Sequence, residues 1–320
     1  MSDHFWSHLL WPSGSKRFEA LTRPLDVVTN VAYTVATNRD VPAISQFLER
    51  HFGWSPTSPV FRPVLNPDKE ILLLVQTDKE ILASIRYRYA GRFDGHPIHI
   101  IDCFCIHPTR RRTGLGTSLL AALHHYTMAQ GLEFSLFLKE GRALPHHRPL
   151  YSSSYVFRGP LSARTSDHLK RSLSPRAAEA LVRAWLTLNP ETLWIYDVGN
   201  TNQQWFFWKE GLEWILFCVQ DAWQTHKGGR IGWMTACFAS EPMRGDRFEE
   251  LVDSVPYDWV WMDRVWLPES CLGQWTRDGV PLKGDTLHHP SRWMMDGPFH
   301  WYAYQWHTNA TIKRFYGLIS

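Results

Sequence analysis

The sequence predicts an α+β fold made of two similar units, each a mostly antiparallel mixed sheet flanked by helices. Patterns for a helix, a strand meander, a second helix and a further strand follow one another in the first half of the chain, and this order returns in the second half. The length of 320 residues also fits two domains better than one. We place the units at residues 1–165 and 166–320, although the sequence itself shows no repeat.

The first half shows periodic patterns as far as residue 139. A helix with one apolar face precedes two strands, which a short turn at Asp78 and Lys79 joins. A third strand ends at Pro108, and the helix after it begins near Gly114 and stops at Gly131. The predicted elements are VPAISQFLERH (41–51), EILLLVQT (70–77), EILASIRYRYA (80–90), IHIIDCFCIHP (98–108), LGTSLLAALHHYTMAQ (115–130) and LEFSLFLK (132–139).

The second half repeats this order after an irregular stretch from Gly141 to Ser174 that is rich in Pro, Ser and His. Such a stretch predicts a long binding loop that leads into the crossing between the units. The predicted elements are PRAAEALVRAWLTL (175–188), LWIYDV (193–198), WFFWK (205–209), EWILFCVQ (213–220), IGWMTACFA (231–239), DRFEELVDS (246–254), DWVWMDRV (258–265) and HWYAYQWHT (300–308).

The composition indicates a large core and no affinity for nucleic acid. Apolar residues make up 44% and charged residues 20% of the chain, so global disorder is not expected. The net charge of +3 is too small for a nucleic-acid-binding surface and fits a local site for an anionic ligand better. The 17 tryptophans and 17 phenylalanines fit either a bulky core or an apolar ligand channel.

The sequence also predicts a cytoplasmic protein without a transmembrane segment or a metal. No apolar run reaches the roughly 20 residues of a membrane helix, and the start, MSDHFWSHLL, lacks the pattern of a signal peptide. The five cysteines form no CxxC pair and the histidine doublets lack the spacing of a zinc site. We therefore expect reduced thiols and no bound metal.

The segment CIHPTRRRTGLGTSLL carries the most specific chemical signal. The start of a helix offers N–H groups and a positive dipole end to a phosphate, and Arg110, Arg111 and Arg112 add positive charge beside it. A Rossmann site would follow the first strand of a parallel sheet, and a P-loop would need Gly-Lys-Ser/Thr, so neither fits. An ordinary strand–loop–helix turn with a basic surface is the remaining alternative.

The pattern Arg-x-x-Gly-x-Gly at Arg111, Gly114 and Gly116 resembles the coenzyme A loop of the GNAT acyltransferase superfamily. The wider order of features resembles the glycylpeptide N-myristoyltransferase family. Its N-F-L-C-V-H segment, basic loop, helix and Gly-x-x-Leu-Pro are similar to DCFCIHPTRRRTGLGTSLL and GRALP here. Its Phe-Trp start and its Tyr-Leu-Tyr-Asn-Trp near the end are similar to HFW and YAYQW. These ordered matches span most of the chain, though each is short.

The resemblance implies two fused GNAT-like halves, with acyl-CoA bound by the first and a peptide by the second. It implies direct transfer of a myristoyl group from the co-substrate myristoyl-CoA to the N-terminal glycine amine of a protein, by a monomer. The backbone amides of Cys103 and Phe104 would form the oxyanion hole, and the carboxylate of Ser320 would be the general base. A solvated terminus after a final edge strand is the other interpretation of Ser320.

The resemblance further implies two sets of binding residues. Coenzyme A would be held by His4, Phe5, Trp6, Phe104, Cys105, Ile106, Arg111, Arg112, Gly114, Leu115 and Gly116. The peptide would be contacted by Asp102, Gly141, Leu144, Tyr155, Asp296 and Gly297.

Several departures from the family pattern concern the amine pocket. Asp102 replaces an asparagine and would either bind an ammonium or serve as a second base. Lys139 would place an unfavourable cation beside the incoming ammonium if its side chain points inward, and Phe157 replaces a histidine. Two other functions therefore stay open: a GNAT N-acetyltransferase acting on a small amine or a lysine, and a catalytically inactive acyl-CoA- or peptide-binding module. A thiol nucleophile at Cys103 or Cys105 lacks a clear histidine and acid partner, so packing roles are favoured.

Overall fold

In the computed structural model the chain forms two compact units. One comprises Met1–Ser152 with His300–Thr311, and the other comprises Ser153–Phe299 with Ile312–Ser320. Each unit thus combines a long stretch of chain with a short segment from near its C-terminal end. The structure describes residues 19–20, 31–52, 70–78, 80–93, 96–132, 134–140, 142–145, 147–153, 155–159, 161, 172–189, 191–195, 203–240, 243–263, 266, 268, 271, 299–304, 306–307 and 314–317.

The helices and strands follow one another in an order close to the predicted one. In chain order they are β1 (Glu19–Ala20), β2 (Thr34–Val35), α1 (Val41–Phe52), β3 (Glu70–Gln76), β4 (Ile81–Phe93), β5 (His96–Ile106), α2 (Leu115–Ala129), β6 (Ser135–Glu140), β7 (Tyr151–Ser153), β8 (Tyr155–Arg158), β9 (Ser172–Leu173), α3 (Pro175–Leu188), β10 (Thr192–Ile195), β11 (Gln203–Glu210), β12 (Glu213–His226), β13 (Gly229–Ala239), α4 (Gly245–Asp253), β14 (Trp259–Asp263), β15 (Phe299–Tyr304), β16 (Trp306–His307) and β17 (Arg314–Gly317).

A seven-stranded sheet in the order β2-β3-β4-β5-β6-β15-β7 forms the centre of the first unit. The strands β2 to β5 pair antiparallel, and β5 and β6 pair parallel. Helices cover both faces, because Leu72 and Leu74 of β3 pack with α1 while Ile71 and Leu73 pack with α2. Burial on both faces explains why β3 is a continuous apolar run rather than an alternating one.

The strand β15 comes from near the end of the chain and lies inside this first sheet, between β6 and β7. All its residues except Ala303 are buried. Tyr302 stacks on Phe137 with ring centroids 5.2 Å apart, and the hydroxyl of Tyr304 donates to the carbonyl of Leu120 at 3.4 Å. An aromatic strand of this kind suits an interior position, where both of its faces are packed.

The second unit contains a six-stranded sheet in the order β8-β14-β13-β12-β11-β9, with β13 and β14 parallel. It repeats the first unit, because in both a meander leads through a helix to a strand parallel to the last meander strand. The core of this unit contains several of the many aromatic residues. Buried tryptophans of this core are Trp185, Trp194, Trp205, Trp208 and Trp266.

The stretch predicted to be irregular, from Gly141 to Ser174, contains three short strands, β7, β8 and β9. Tyr151 and Ser153 of β7 are buried, as are Val156 and Phe157 of β8. Strands this short, in a segment with several serines, show too little alternation for detection in the sequence. These short strands form because they pack against longer strands and not because their residues have a strong local preference for β structure.

The predicted α+β architecture, with mostly antiparallel mixed sheets flanked by helices, is confirmed. Within the described part of the chain, no helix has the length and apolar character needed to cross a membrane. The five cysteines are free and buried, with no disulfide between them.

Candidate active site

The strand β5 carries a bulge at the two residues predicted to form the oxyanion hole. Between the pairs that Ser84 and Arg86 make with β5, one residue of β4 faces two residues of β5, Cys103 and Phe104. The φ of Cys103 is 49°, in the left-handed region that costs a residue with a side chain about 1–2 kcal/mol. Bulges re-aim backbone and side-chain groups. The chain therefore holds a backbone conformation here that a regular strand would not adopt.

The ladder between β5 and β6 ends just before this bulge. The two strands pair from His99 with Ser135 to Ile101 with Phe137. Beyond this point β5 continues to Ile106 and β6 to Glu140 without a described pair between them. In open parallel sheets, ligands bind beyond the carboxyl ends of neighbouring strands, and β5 and β6 are paired in parallel here. In the described residues, the backbone of β5 beyond Ile101 makes no ladder bonds to β6, so its groups on that side can bond the carbonyl of a ligand.

The loop after β5 leads directly to a helix start suited to a diphosphate. Gly114 caps α2 with a φ of 85° and offers no side chain to bond the first-turn N–H groups. The first turn of α2 contains no acidic residue. The hydroxyl of Thr113 donates to the carbonyl of Arg110 at 2.8 Å and closes the loop on itself. The helix N–H groups and dipole are therefore available to an anion.

The two arginines predicted to hold coenzyme A differ in their surroundings. Arg111 donates from Nε to the carbonyl of Ile106 at 3.1 Å and from Nη2 to the carbonyl of His51 at 3.5 Å. It therefore ties the loop to the end of β5 and to the end of α1. Both arginines are exposed, and Arg112 has a φ of 65°. Arg112 is thus a second surface cation beside the helix start.

In the described part of the second unit, the helix equivalent to α2 begins differently. The equivalent helix α4 begins after Arg244 and carries Asp246 in its first turn. Arg244 is paired with Asp246 at 2.7 Å, and its Nη1 lies 3.7 Å from Glu210 and 3.6 Å from Glu213. A carboxylate in the first turn already occupies the positive end of the helix dipole. Among the described helices, α2 therefore offers a free helix start to an anion and α4 does not.

Asp102, which precedes the bulge, lies between two buried arginines. It accepts hydrogen bonds from Arg86 at 2.6 and 2.8 Å and from Nε of Arg88 at 2.7 Å. Burial alone would raise the pKa of Asp102, but the charges and hydrogen bonds of the two arginines outweigh it and lower the pKa to about 2. Such a carboxylate is too weak a base near neutral pH. We therefore assign Asp102 to holding β5 against β4 rather than to proton transfer.

Cys103 and Cys105 are buried against α1, in a cluster with Phe47 and Leu48. Burial raises the pKa of the Cys103 thiol far above its ordinary value and raises that of Cys105 to about 12. Both thiols are therefore protonated near neutral pH, and neither is a nucleophile. Phe104, Ile106 and Leu115 are partly buried and pack on the α2 side of the sheet.

Leu144, predicted to contact the peptide, is buried and connected to β15. Its backbone N–H donates to the hydroxyl of Tyr302 at 2.7 Å. The ammonium of Lys139 donates to the carbonyl of Arg142 in the same loop. The Lys139 ammonium, at the end of β6, is therefore bonded to the backbone that follows this strand. Gly116 lies in the first turn of α2, and the backbone of Tyr155 lies in β8 of the second unit.

The remaining predicted site residues lie outside the described residues, so their roles stay predictions. They are His4, Phe5, Trp6, Gly141, Asp296, Gly297 and Ser320. Among the residues that are described, no group of three or more His, Cys, Asp or Glu side chains is placed to hold a metal ion.

Sequence reasoning missed the residues of β4 that support the bulge, namely Ser84, Arg86 and Arg88. One signal was present, since two arginines two positions apart in an otherwise apolar strand lie on one face and need a buried partner. That Asp102 is this partner depends on the β4–β5 register, which the bulge shifts. The hydroxyl of Ser84 had no signal of its own.

One protein family matches the part of the chain that contains the bulge and the loop before α2. Residues 41–152 match the acetyltransferase (GNAT) family. The match begins at α1 and ends in β7, so it includes the bulge and the loop before α2. All of the matched residues belong to the first unit. No curated protein matches the chain in sequence.

Solved structures of the whole fold also match. A crystal structure of Saccharomyces cerevisiae N-myristoyltransferase with bound myristoyl-CoA aligns with a TM-score of 0.61 at 11% identity, over 97% of this chain and 94% of that one. A second structure of the yeast enzyme, with myristoyl-CoA and inhibitors, gives a TM-score of 0.63 at 10% identity, over 97% and 91%. At this identity the likeness shows the fold alone. The predicted GNAT- and N-myristoyltransferase-like fold is thereby confirmed.

The two ends of α2 offer a matched test of the anion site. Gly114 and Gly131 have φ values of 85° and 70°, and an added Cβ would meet nothing within 4 Å at either position. We expect Gly114→Ala and Gly131→Ala each to lower the free energy of unfolding by about 1 kcal/mol, because each forces alanine into the left-handed region. Only Gly114→Ala should weaken acyl-CoA binding, by roughly tenfold, measured by calorimetry. Equal weakening by both variants would contradict the site.

Proposed function

We propose that this protein is an acyl-CoA-dependent N-acyltransferase that transfers a long-chain acyl group, myristoyl, to the N-terminal glycine amine of a protein. The observation that carries the proposal is the bulge at Cys103 and Phe104, placed where the β5–β6 ladder ends and one loop away from the helix start at Gly114. One ligand, a thioester of coenzyme A, suits both places. Its diphosphate fits the helix start, and its carbonyl fits the backbone amides of the bulge.

The chemistry is direct. The amine nitrogen, after losing a proton, attacks the thioester carbon, a C–N bond forms, and the C–S bond breaks. The negative charge on the carbonyl oxygen is stabilised by the bulge amides, and as the amide forms the nitrogen loses a second proton, which the departing thiolate of coenzyme A takes up. No covalent acyl-enzyme is needed, which agrees with the protonated state of Cys103 and Cys105. The carboxylate of Ser320 stays the predicted base for the amine.

The long acyl chain and the glycine acceptor are the finer part of the proposal. They are supported by the ordered sequence resemblance and by a fold that matches an enzyme crystallised with myristoyl-CoA. A second candidate, N-acetyl transfer to a small amine or a lysine, is favoured by the match of residues 41–152 to an acetyltransferase family. The two candidates share the coenzyme A site and differ in acyl length and acceptor.

A series of acyl-CoA chain lengths separates these functions. Acetyl-, octanoyl- and myristoyl-CoA are each incubated with a library of N-terminal glycine peptides and with matched peptides whose only free amine is a lysine. We expect product, detected by mass spectrometry, only with glycine peptides and with kcat/KM rising toward myristoyl-CoA. Preference for acetyl-CoA or for the lysine peptides would overturn the proposal in favour of the acetyltransferase. Tight binding of myristoyl-CoA without product would indicate an inactive binding module.

A further inference from the structure

The hydroxyl of Ser84 lies buried beside the bulge. Ser84 of β4 is fully buried, and its hydroxyl donates to the carbonyl of Cys103 at 2.8 Å. Its cross-strand neighbours are Leu74 on β3 and Cys105 on β5. Burying a hydroxyl in such surroundings costs free energy unless it forms a hydrogen bond. The bond to Cys103 supplies that compensation, so the hydroxyl and the bulge depend on each other.

The conformation of Cys103 needs such support. A φ of 49° in a residue with a side chain persists only where the surroundings hold it. The support comes from both sides along β4, since Ser84 holds the carbonyl of Cys103 while Arg86 holds Asp102 at 2.6 Å. The bulge is thus fixed by side chains of the neighbouring strand and not by the β4–β5 ladder alone.

Peptide geometry then relates this hydroxyl to the proposed oxyanion hole. The carbonyl of Cys103 and the N–H of Phe104 belong to one peptide unit, and in a trans peptide they point in opposite directions. The carbonyl points to Ser84 on β4. The N–H of Phe104 therefore points away from β4, to the side where β6 lies and where the β5–β6 ladder has ended.

We propose that Ser84 is a positioning residue, whose hydroxyl holds the Cys103–Phe104 peptide so that the Phe104 N–H faces the thioester carbonyl. This inference rests on the proposed acyl transfer. Ser84 does not touch the substrate and acts through the peptide that it orients. Loss of its hydroxyl leaves the coenzyme A loop intact, so the effect falls on the carbonyl and on turnover rather than on acyl-CoA affinity.

Kinetics of three variants test the role. We expect Ser84→Ala to lower kcat by about 10- to 100-fold, less than the about 10²- to 10³-fold loss of a whole oxyanion-hole donor, with the KM for acyl-CoA changed less than twofold. Ser84→Thr keeps a hydroxyl and should restore most of kcat. Ser135→Ala is the control, because Ser135 is a buried serine of the same sheet whose hydroxyl donates at 3.4 Å to Tyr304, away from the bulge. An unchanged kcat in Ser84→Ala, or an equal loss in Ser135→Ala, would overturn the inference.

A spectroscopic readout separates this inference from the proposed function. Myristoyl-CoA labelled with ¹³C at the thioester carbonyl is bound to each variant, and the infrared stretch of that carbonyl is compared with its value in water. We expect a shift to lower frequency in the wild-type chain and in Ser84→Thr, and its loss in Ser84→Ala. Bound ligand with a shifted carbonyl but no product would contradict the transfer reaction and support the role of Ser84. An unshifted carbonyl, or no binding, would overturn the role of Ser84.

Discussion

Replacing Asp102 with alanine is expected to lower the free energy of unfolding by about 3–5 kcal/mol, because it removes the carboxylate to which both buried arginines bond. The side chains of Arg86 and Arg88 are 2% and 6% exposed, and both have short contacts to this carboxylate. Glu70 is the other acidic side chain in the cluster and lies 3.8 Å from Arg86. Burial raises the pKa of Glu70, against the opposing charge of Arg86, so it substitutes poorly for Asp102.

Urea unfolding of matched variants checks this prediction. Asp102→Asn keeps the shape without the charge and should fall between the wild type and Asp102→Ala. Glu80→Ala is the control, since the Glu80 side chain is 55% exposed and lies 3.9 Å from His107. Its loss should change the free energy of unfolding by less than about 0.5 kcal/mol. A change of less than 1 kcal/mol in Asp102→Ala would contradict the cluster as a determinant of the sheet.

The same cluster predicts how stability depends on pH. The folded-state pKa of Asp102 is about 2, below its ordinary value of 3.8. A depressed carboxyl pKa contributes stability that is present above pH 3.8 and is lost as the pH falls through about 2. This contribution should disappear in Asp102→Asn, whose stability is expected to fall less steeply than that of the wild type between pH 4 and pH 2.

Gly116→Asp is expected to reduce acyl-CoA affinity by at least 100-fold while leaving the fold intact. Gly116 lies in the first turn of α2, where the diphosphate is proposed to bind. Two unit charges of like sign 4 Å apart repel by about 4 kcal/mol at an effective dielectric constant of 20, and about 1.4 kcal/mol is a factor of ten in affinity. A carboxylate at a helix start is favourable in itself, so the melting temperature should stay level or rise. Binding and stability thus change in opposite directions.

Gly116→Asn is the matched control, because it has nearly the same size and lacks the charge. Calorimetric titration with acyl-CoA and thermal unfolding are measured on both variants. We expect the asparagine variant to bind within about tenfold of the wild type, since it removes no charge-assisted contact. If the two variants bind equally, charge at this helix start does not determine affinity and the diphosphate site lies elsewhere.

Local patterns predicted the parts of the site that are contiguous in the chain. The sequence predicted the strand before Pro108, the basic turn and the helix from Leu115, because hydrophobic periodicity and glycine placement are local properties. The oxyanion-hole assignment came from resemblance rather than from the residues themselves. The sequence did not predict the bulge at Cys103 and Phe104, since a bulge depends on how two strands pair.

What the sequence by itself determined is the order of elements, and it predicted an anion site at the loop before α2. Two glycines, three arginines and an apolar helix suffice for that prediction. The structure added that the equivalent helix α4 has an acidic residue in its first turn. Only the tertiary structure showed the surroundings of Asp102, which was predicted to bind an ammonium or to serve as a second base and is a buried partner of Arg86 and Arg88. It also decided that β15, from near the chain end, lies beside β6. Both depend on strand register and long-range packing, which no local pattern encodes.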